Sequence, residues 1–92
     1  MNNTDTFRAR THVTYAQLLT DSILLDTRRG IYFELNEVAT EIWILLTKDP
    51  LSILQIHFSL LLIFDVSSSI LLQDIHELMT QLLHDKLIEK IS

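Results

Sequence analysis

Two short runs of β-forming residues lie on either side of a polar turn in the first half of the chain. They are residues 22–26 and Ile31–Leu35, and in the second run the odd-numbered side chains share one apolar face. The turn between them, residues 27–30, ends on glycine, which readily takes the positive φ of a hairpin turn. The pattern predicts an antiparallel hairpin, and a looser alternation over residues 7–15 predicts a first strand beside it.

Apolar residues beyond this hairpin recur at the 3.6-residue spacing of amphipathic helices. Asn36 is a favourable N-cap for a first helix over residues 37–47. Asp49 and Pro50 predict the start of a second helix, and a run of serines caps a third helix over residues 67–85. The predicted core stripes are Ala39, Ile42, Trp43 and Leu46, then Ile53, Ile56, Leu60 and Phe64, then Leu71, Ile75, Leu78 and Leu82.

The order of these elements, strands first and helices after, predicts an α+β domain with the helices packed on one side of a small antiparallel sheet. We expect one domain, residues 1–92, that buries roughly two-thirds of the surface of its unfolded chain. Residues 1–6 are expected to form a disordered tail. Residues 87–91 are expected to form either a last short strand or a docked tail.

The composition disfavours secretion and membrane insertion. The chain has no cysteine, which removes disulfides, thiolate metal sites and cysteine nucleophiles and fits a cytoplasmic protein. No apolar signal region precedes the first strand. The longest apolar run, residues 51–64, is interrupted by polar residues and is too short for a bilayer span of ~20 residues. We therefore expect no membrane partner.

The charge distribution disfavours a nucleic-acid partner. The net charge is −5, and residues 31–92 hold nine acidic residues against three lysines, whereas binding phosphates needs clustered basic residues. Arg28 and Arg29 nevertheless stand where a winged-helix DNA-binding protein has its wing. A winged-helix-type interaction or nucleic-acid-binding module is thus the alternative, although acidic residues along the third helix would repel phosphate. The two arginines could instead steer an acidic partner surface, or belong to an ordinary solvated turn.

The sequence has no arrangement of residues typical of catalysis or of a cofactor site. The four histidines include no i, i+4 pair, and His76 and His84 stand two helical turns apart. Glu37 and Glu41 lie one turn apart on the first helix, where a solvated acidic face is expected rather than acid–base chemistry. We therefore expect no enzyme, no cofactor and no metal site.

The strand Ile31–Leu35 and the third helix are candidate binding surfaces. The strand has neither proline nor lysine, so an exposed edge would be open to an extended peptide that adds as a further strand. On the helix, Leu72, Met79 and Leu83 widen the apolar stripe on one side. This wide stripe could fill the core alone, or it could face the core with one margin and a groove with the other.

The stretch from residue 24 to residue 46, LLDTRRGIYFELNEVATEIWILL, resembles the PqqD-like family, also called the precursor-peptide recognition element. The family has an apolar strand ending in Leu-Asp, a turn with Gly, an aromatic strand ending in Leu-Asn, and a helix with Ala and Ile-Trp. The residues that carry this pattern are Leu25, Asp26, Gly30, Tyr32, Phe33, Leu35, Asn36, Ala39, Ile42 and Trp43. The match extends over residues 12–90 and departs at residues 85–86, where many members carry glycine.

The resemblance implies a winged-helix-like fold, with an N-terminal three-stranded antiparallel sheet followed by three helices. It implies that the chain binds the leader segment of a precursor peptide, catalyses nothing, and acts with a processing or modifying enzyme. A free-standing chain of this length is similar to the leader-binding partners of lasso-peptide leader proteases. It is also similar to the stand-alone member that serves a radical enzyme in quinone-cofactor synthesis.

The resemblance also places the leader as an added strand beside the third strand, with its side chains in the cleft against the third helix. Spacing alone leaves open which apolar residues face the leader and which face the core. Gln73 is a candidate polar contact at the rim. The residues predicted to bind the leader are Ile31, Tyr32, Phe33, Glu34, Leu35, Asp74, Ile75, Leu78, Met79 and Leu82.

Four apolar residues of the second helix project to one side of its core stripe. They could form a docking surface for the partner enzyme. Alternatively, the C-terminal segment covers them, or they are buried in a homodimer. These residues, called the α2 patch below, are Leu54, Phe58, Leu61 and Leu62.

Overall fold

The computed structural model describes residues 1–91 and has the predicted α+β architecture. Its strands form two three-stranded antiparallel sheets, in the orders β2-β3-β4 and β5-β1-β6, and its three helices pack against them. The winged-helix-like description is therefore a loose one. The elements in chain order are β1 (Thr6–Ala9), β2 (Val13–Leu18), β3 (Asp21–Asp26), β4 (Ile31–Leu35), α1 (Glu37–Lys48), β5 (Leu51–Ser52), α2 (Ile53–Leu61), α3 (Ser68–His84) and β6 (Ile88–Lys90).

The predicted hairpin is confirmed as β3 and β4. Its register runs from Ser22 opposite Leu35 to Asp26 opposite Ile31. Gly30 takes a φ of +68°, and its N–H donates to the carbonyl of Asp26 at 2.8 Å, which closes the turn. β2 completes this sheet by pairing with β3 along its whole length.

The prediction of one strand over residues 7–15 is wrong, because these residues form parts of two strands in different sheets. The chain turns at residues 10–13, where the N–H of Val13 donates to the carbonyl of Arg10 at 3.2 Å. β1 then pairs with β5 and β6 rather than with β2. Thr6 is already in β1, and the preceding segment lies against the start of α2, where the N–H of Leu54 donates to the Asn3 carbonyl. Disorder of residues 1–6 in solution stays a prediction.

The first helix is confirmed, but the predicted start of the second is wrong. Asn36 caps α1 by accepting the N–H of Ala39 at 2.9 Å, and such a cap contributes ~1 kcal/mol. Asp49 is the C-cap of α1 instead of the N-cap of α2. The chain then pairs briefly with β1 as β5, and α2 begins after Ser52, whose side chain forms a capping box with Gln55. A strong local start signal was overridden by pairing with a distant strand.

The two sheets and the three helices share one apolar core. α1 packs against both sheets, contacting β1 of one sheet and β3 and β4 of the other. Each large side chain that is fully buried contributes ~1.5–3 kcal/mol relative to an exposed one. These side chains are Trp43, Phe7, Leu24, Ile42, Ile53, Ile56, Leu60, Leu71, Ile75, Met79, Leu87 and Ile88.

The C-terminal segment forms a strand, so the first of the two predicted alternatives for residues 87–91 is confirmed. β6 pairs with β1 and joins the two ends of the chain in one sheet. The turn before it follows the Schellman pattern, with the N–H of Leu87 donating to the carbonyl of Leu82 at 3.0 Å. Lys86 has the left-handed φ of 61° that this turn requires, at the position where the glycine was missing.

Lys86→Gly is expected to raise the free energy of unfolding by about 0.5–1 kcal/mol. A non-glycine residue in the left-handed region costs ~1–2 kcal/mol, and the greater freedom of glycine in the unfolded chain offsets part of the gain. Urea unfolding followed by circular dichroism measures the difference. Lys86→Ala, which keeps a Cβ atom, is the control and should give no gain; equal effects of the two substitutions would contradict the explanation.

Candidate functional site

β4 forms one edge of the sheet β2-β3-β4. It pairs with β3 on one side, and within residues 1–91 no strand pairs with its other side. Tyr32 is 69 % exposed and Glu34 is exposed, whereas Phe33 is half-buried and Leu35 is buried. Unpaired backbone N–H and C=O groups therefore lie along this edge, next to an exposed aromatic ring.

The buried face of α3 differs from the predicted stripe by one residue. It consists of Leu71, Ile75, Met79 and Leu82, and Leu78 is only partly buried. Both sets of positions recur at helical spacing, so only packing could decide between Leu78 and Met79. Of the residues predicted to bind the leader, Ile75, Met79 and Leu82 consequently lie in the core, while Asp74 and Leu78 lie at the surface of α3.

A cleft of about 430 Å³ lies where β4 leads into α1, with α3 opposite. It combines apolar side chains with two carboxylates, those of Asp74 and Glu77. The amide of Gln73 lies 3.5 Å from a carboxylate oxygen of Glu77, at the limit of hydrogen bonding. In residues 1–91 no basic side chain lies within 4.0 Å of either carboxylate. The lining residues are Asn36, Val38, Ala39, Asp74, Glu77 and Leu78.

Asp26 organises the opposite end of this edge, at the β3–β4 turn. Its side chain is 1 % exposed. Its Oδ1 accepts the backbone N–H groups of Arg28 and Arg29 at 3.0 and 3.1 Å, and its Oδ2 accepts Nε of Arg29 at 2.7 Å. Burial raises the pKa of the carboxyl, but the hydrogen bonds from Arg29 and Arg28 outweigh it and bring the pKa down to about 2. Asp26 is therefore ionised at neutral pH.

The lowered pKa predicts how Asp26 affects stability in acid. Because the folded-state pKa is about 2 and the ordinary value is 3.8, its stabilisation is complete above pH ~4 and is lost as the pH falls through about 2. Unfolding by urea at several pH values should show the wild type losing its advantage over Asp26→Asn between pH ~4 and pH ~2. Asparagine keeps an acceptor for the backbone N–H groups but cannot titrate. A constant difference across this interval would contradict the assignment.

The α2 patch is exposed. Leu54, Phe58, Leu61 and Leu62 are 46, 70, 37 and 80 % exposed. Exposed apolar residues continue after the helix, at Ile63, Val66 and Ile70, which were not predicted to belong to the patch. β6 pairs with β1, so the described part of the C-terminal segment does not cover the patch, and that alternative is wrong.

Two of the histidines contact polar groups on other elements of the fold. Nε2 of His57 lies 2.9 Å from the carbonyl of Ser68, and Nε2 of His12 lies 3.5 Å from Asp26 Oδ2. Across residues 1–91, no three histidine, aspartate or glutamate side chains come together as metal ligands. None of the helices in this range has the length and apolarity to cross a membrane.

These features define a class: a small α+β domain with an open edge strand and a cleft walled by a helix. The family model described as coenzyme PQQ synthesis protein D (PqqD) matches residues 21–88. The chain belongs to the PqqD family, as its resemblance predicted. Among curated proteins no match is found.

Two solved structures are similar to this chain over most of their length. One is TbiB1 in complex with the TbiA(beta) leader peptide, with a TM-score of 0.81 and 22 % identity, covering 92 % of this chain and 98 % of that one. The other is lasso peptide synthetase B1 complexed with the leader peptide, with a TM-score of 0.75 and 29 % identity, covering 90 % of this chain and 96 % of that one. The first similarity establishes the fold alone.

Proposed function

We propose that this chain binds the leader peptide of a ribosomally made precursor and presents the precursor to a processing or modifying enzyme. The observation that carries the proposal is the free edge of β4 beside the cleft of α3, in a member of the PqqD family. The lasso peptide synthetase B1 that is 29 % identical was solved with a leader peptide, which favours the same class of ligand here.

In the proposed complex the leader adds as a strand to β4. The main chain of Ile31–Leu35 supplies hydrogen bonds, each with a net contribution of ~1 kcal/mol. A micromolar dissociation constant requires ~8 kcal/mol, so a strand as short as β4 cannot provide it through hydrogen bonds alone. Side-chain contacts must supply the rest, and we assign them to Tyr32 and Phe33 of β4 and to Asp74 and Leu78, which line the cleft. Leu35 contributes through its backbone because its side chain is buried.

The proposed mechanism is positioning without catalysis. An adaptor that holds the leader and also contacts the enzyme makes the encounter between precursor and enzyme intramolecular. The effective concentration of the precursor at the enzyme reaches the millimolar range for short flexible linkers. The enzyme that we favour is a lasso-peptide leader protease, since the 29 % identical relative is named as a lasso peptide synthetase component. We place the complex in the cytoplasm, where ribosomes make the precursor.

Amide NMR of the labelled chain tests the proposal directly. Titration with a synthetic leader of a candidate precursor peptide should give saturable shifts at Ile31–Leu35 and at the cleft residues of α3. A scrambled peptide and a short DNA duplex are the controls. Shifts with DNA centred on α3 and the two turn arginines would contradict the proposal and favour the nucleic-acid-binding alternative.

We further propose that the α2 patch docks the partner enzyme. An exposed apolar surface of this kind is typical of a protein-interaction site. Phe58→Ser combined with Leu61→Ser should abolish capture of the enzyme while leader affinity stays unchanged. Leu19→Ser, at a residue 96 % exposed on the β2–β3 turn, is the matched control.

Two results would count against this assignment. Loss of a dimer in the double variant, measured by sedimentation, would identify the patch as a homodimer interface instead. Unchanged capture of the enzyme together with an unchanged oligomeric state would remove the patch from the proposal altogether.

A further inference from the structure

Arg29 joins the β3–β4 turn to the C-terminal end of α3. Its Nε donates to the carboxylate of Asp26 at 2.7 Å, and its Nη2 donates to the main-chain carbonyl of Asp85. Asp26 ends β3 at the turn that leads into β4, and Asp85 is the C-cap of α3. One side chain therefore ties the start of the edge strand to the end of the helix opposite.

This link is held firmly on both sides. Asp26 is buried, and its Oδ1 accepts the backbone N–H groups of Arg28 and Arg29, so the guanidinium docks on a carboxylate that the turn already holds in place. On the other side, the Asp85 carbonyl lies at the negative end of the α3 dipole, which favours a cation. The Arg29 guanidinium also lies 6.0 Å from the centre of the Phe33 ring, within the range of cation–π attraction.

Only arginine can make this set of contacts at once. Its planar guanidinium carries five donors in a fixed fork, so Nε can donate to Asp26 while Nη2 donates to Asp85. Lysine carries its charge at one point, so it can keep the ion pair with Asp26 but cannot bond to Asp85 at the same time. Arg28, the neighbouring residue, has an exposed side chain and uses only its backbone N–H on Asp26.

We propose that Arg29 is a positioning residue that sets the distance between β4 and α3, and through it the affinity for the leader. The inference rests on the leader-binding function proposed above. Ile31 follows Arg29 after a single glycine, so the turn determines where β4 begins. A leader held between strand and helix needs a fixed separation of the two. If the distance between β4 and α3 that allows binding is populated only a fraction of the time, the affinity for the leader falls by that fraction.

Two variants test the role without leaving a buried charge unpaired. Arg29→Lys keeps a cation beside Asp26 and should melt close to the wild type, yet bind a fluorescein-labelled leader about tenfold more weakly. The double variant Asp26→Asn with Arg29→Gln removes both charges together. At temperatures where this variant is folded, it should bind the leader at least as weakly as Arg29→Lys does. Arg28→Gln removes the same charge one residue away and should stay within about twofold of the wild type.

A second readout needs no leader. In amide NMR of the free chain, Arg29→Lys should shift the resonances of residues 83–86 and of β4 together, while Arg28→Gln should leave the end of α3 unchanged. Wild-type affinity in both Arg29 variants, or an unmoved α3 end in Arg29→Lys, would overturn the positioning role. Equal weakening by Arg28→Gln would also overturn it, in favour of charge steering. Failure of the wild type to bind the leader would instead contradict the proposed function itself.

Discussion

A leader peptide that carries one N-methyl group on its backbone should lose affinity for this chain in an alternating pattern. Methylation at an amide that donates to β4 should weaken binding about tenfold or more, because it removes a hydrogen bond of ~1 kcal/mol and adds a clash at the strand edge. Methylation one residue along should leave affinity within about twofold, because that N–H points away from the sheet. Isothermal titration calorimetry of a series methylated residue by residue measures this pattern.

The period of the effect distinguishes strand addition from other modes of binding. A leader that bound as a helix in the cleft would lose an internal hydrogen bond at every interior position, so the losses would be uniform. Uniform losses, or none, would contradict pairing with β4. The changes are made in the peptide, so the stability of the domain is the same throughout the series.

Trp43→Ala should lower the free energy of unfolding by about 3–5 kcal/mol, the usual cost of emptying the site of a large buried aromatic residue. Trp43 is 1 % exposed and is the largest side chain of the core, on the helix that contacts both sheets. A domain of this size has ~5–15 kcal/mol of stability in total, so the variant should be close to unfolding at ordinary temperature. Urea unfolding with circular dichroism detection measures the loss.

Tyr32→Ala is the matched aromatic control for this experiment. Tyr32 is 69 % exposed on the free edge, so its truncation should change stability by no more than about 0.5 kcal/mol. Tyr32→Ala should nevertheless lower the affinity for the leader if the ring contacts the peptide as proposed. Similar losses of stability for the two variants would contradict the placement of Trp43 at the centre of the core.

The elements that the sequence predicted correctly are those whose signals act within a few residues. Gly30 closes a turn between two strands that are neighbours in the chain, and Asn36 caps the helix that begins at the next residue. The family pattern over residues 24–46 covers this region, and the family model confirms it over residues 21–88. The open edge of β4 follows from its position as the outer strand of a local meander.

The second sheet could not be predicted from local pattern, because its strands come from distant parts of the chain. Phe7 lies opposite Leu51 on one side and Lys90 on the other. The same pairing displaced the start of α2 from the expected cap at Asp49 to Ser52. Such contacts form between residues that are far apart in the chain, so short-range propensities do not predict them.

The candidate site divides in the same way. The sequence by itself determined that residues 31–35 would form an apolar strand and residues 71–82 an amphipathic helix, because alternation and helical spacing are local properties. Tertiary packing decided that Met79 would enter the core and Leu78 would remain at the cleft, since both positions satisfy the helical period. It also separated two adjacent arginines that the sequence could not distinguish. The folded chain brings the Asp26 carboxylate and the Asp85 carbonyl within reach of the Arg29 side chain, whereas Arg28 contacts Asp26 through its backbone N–H.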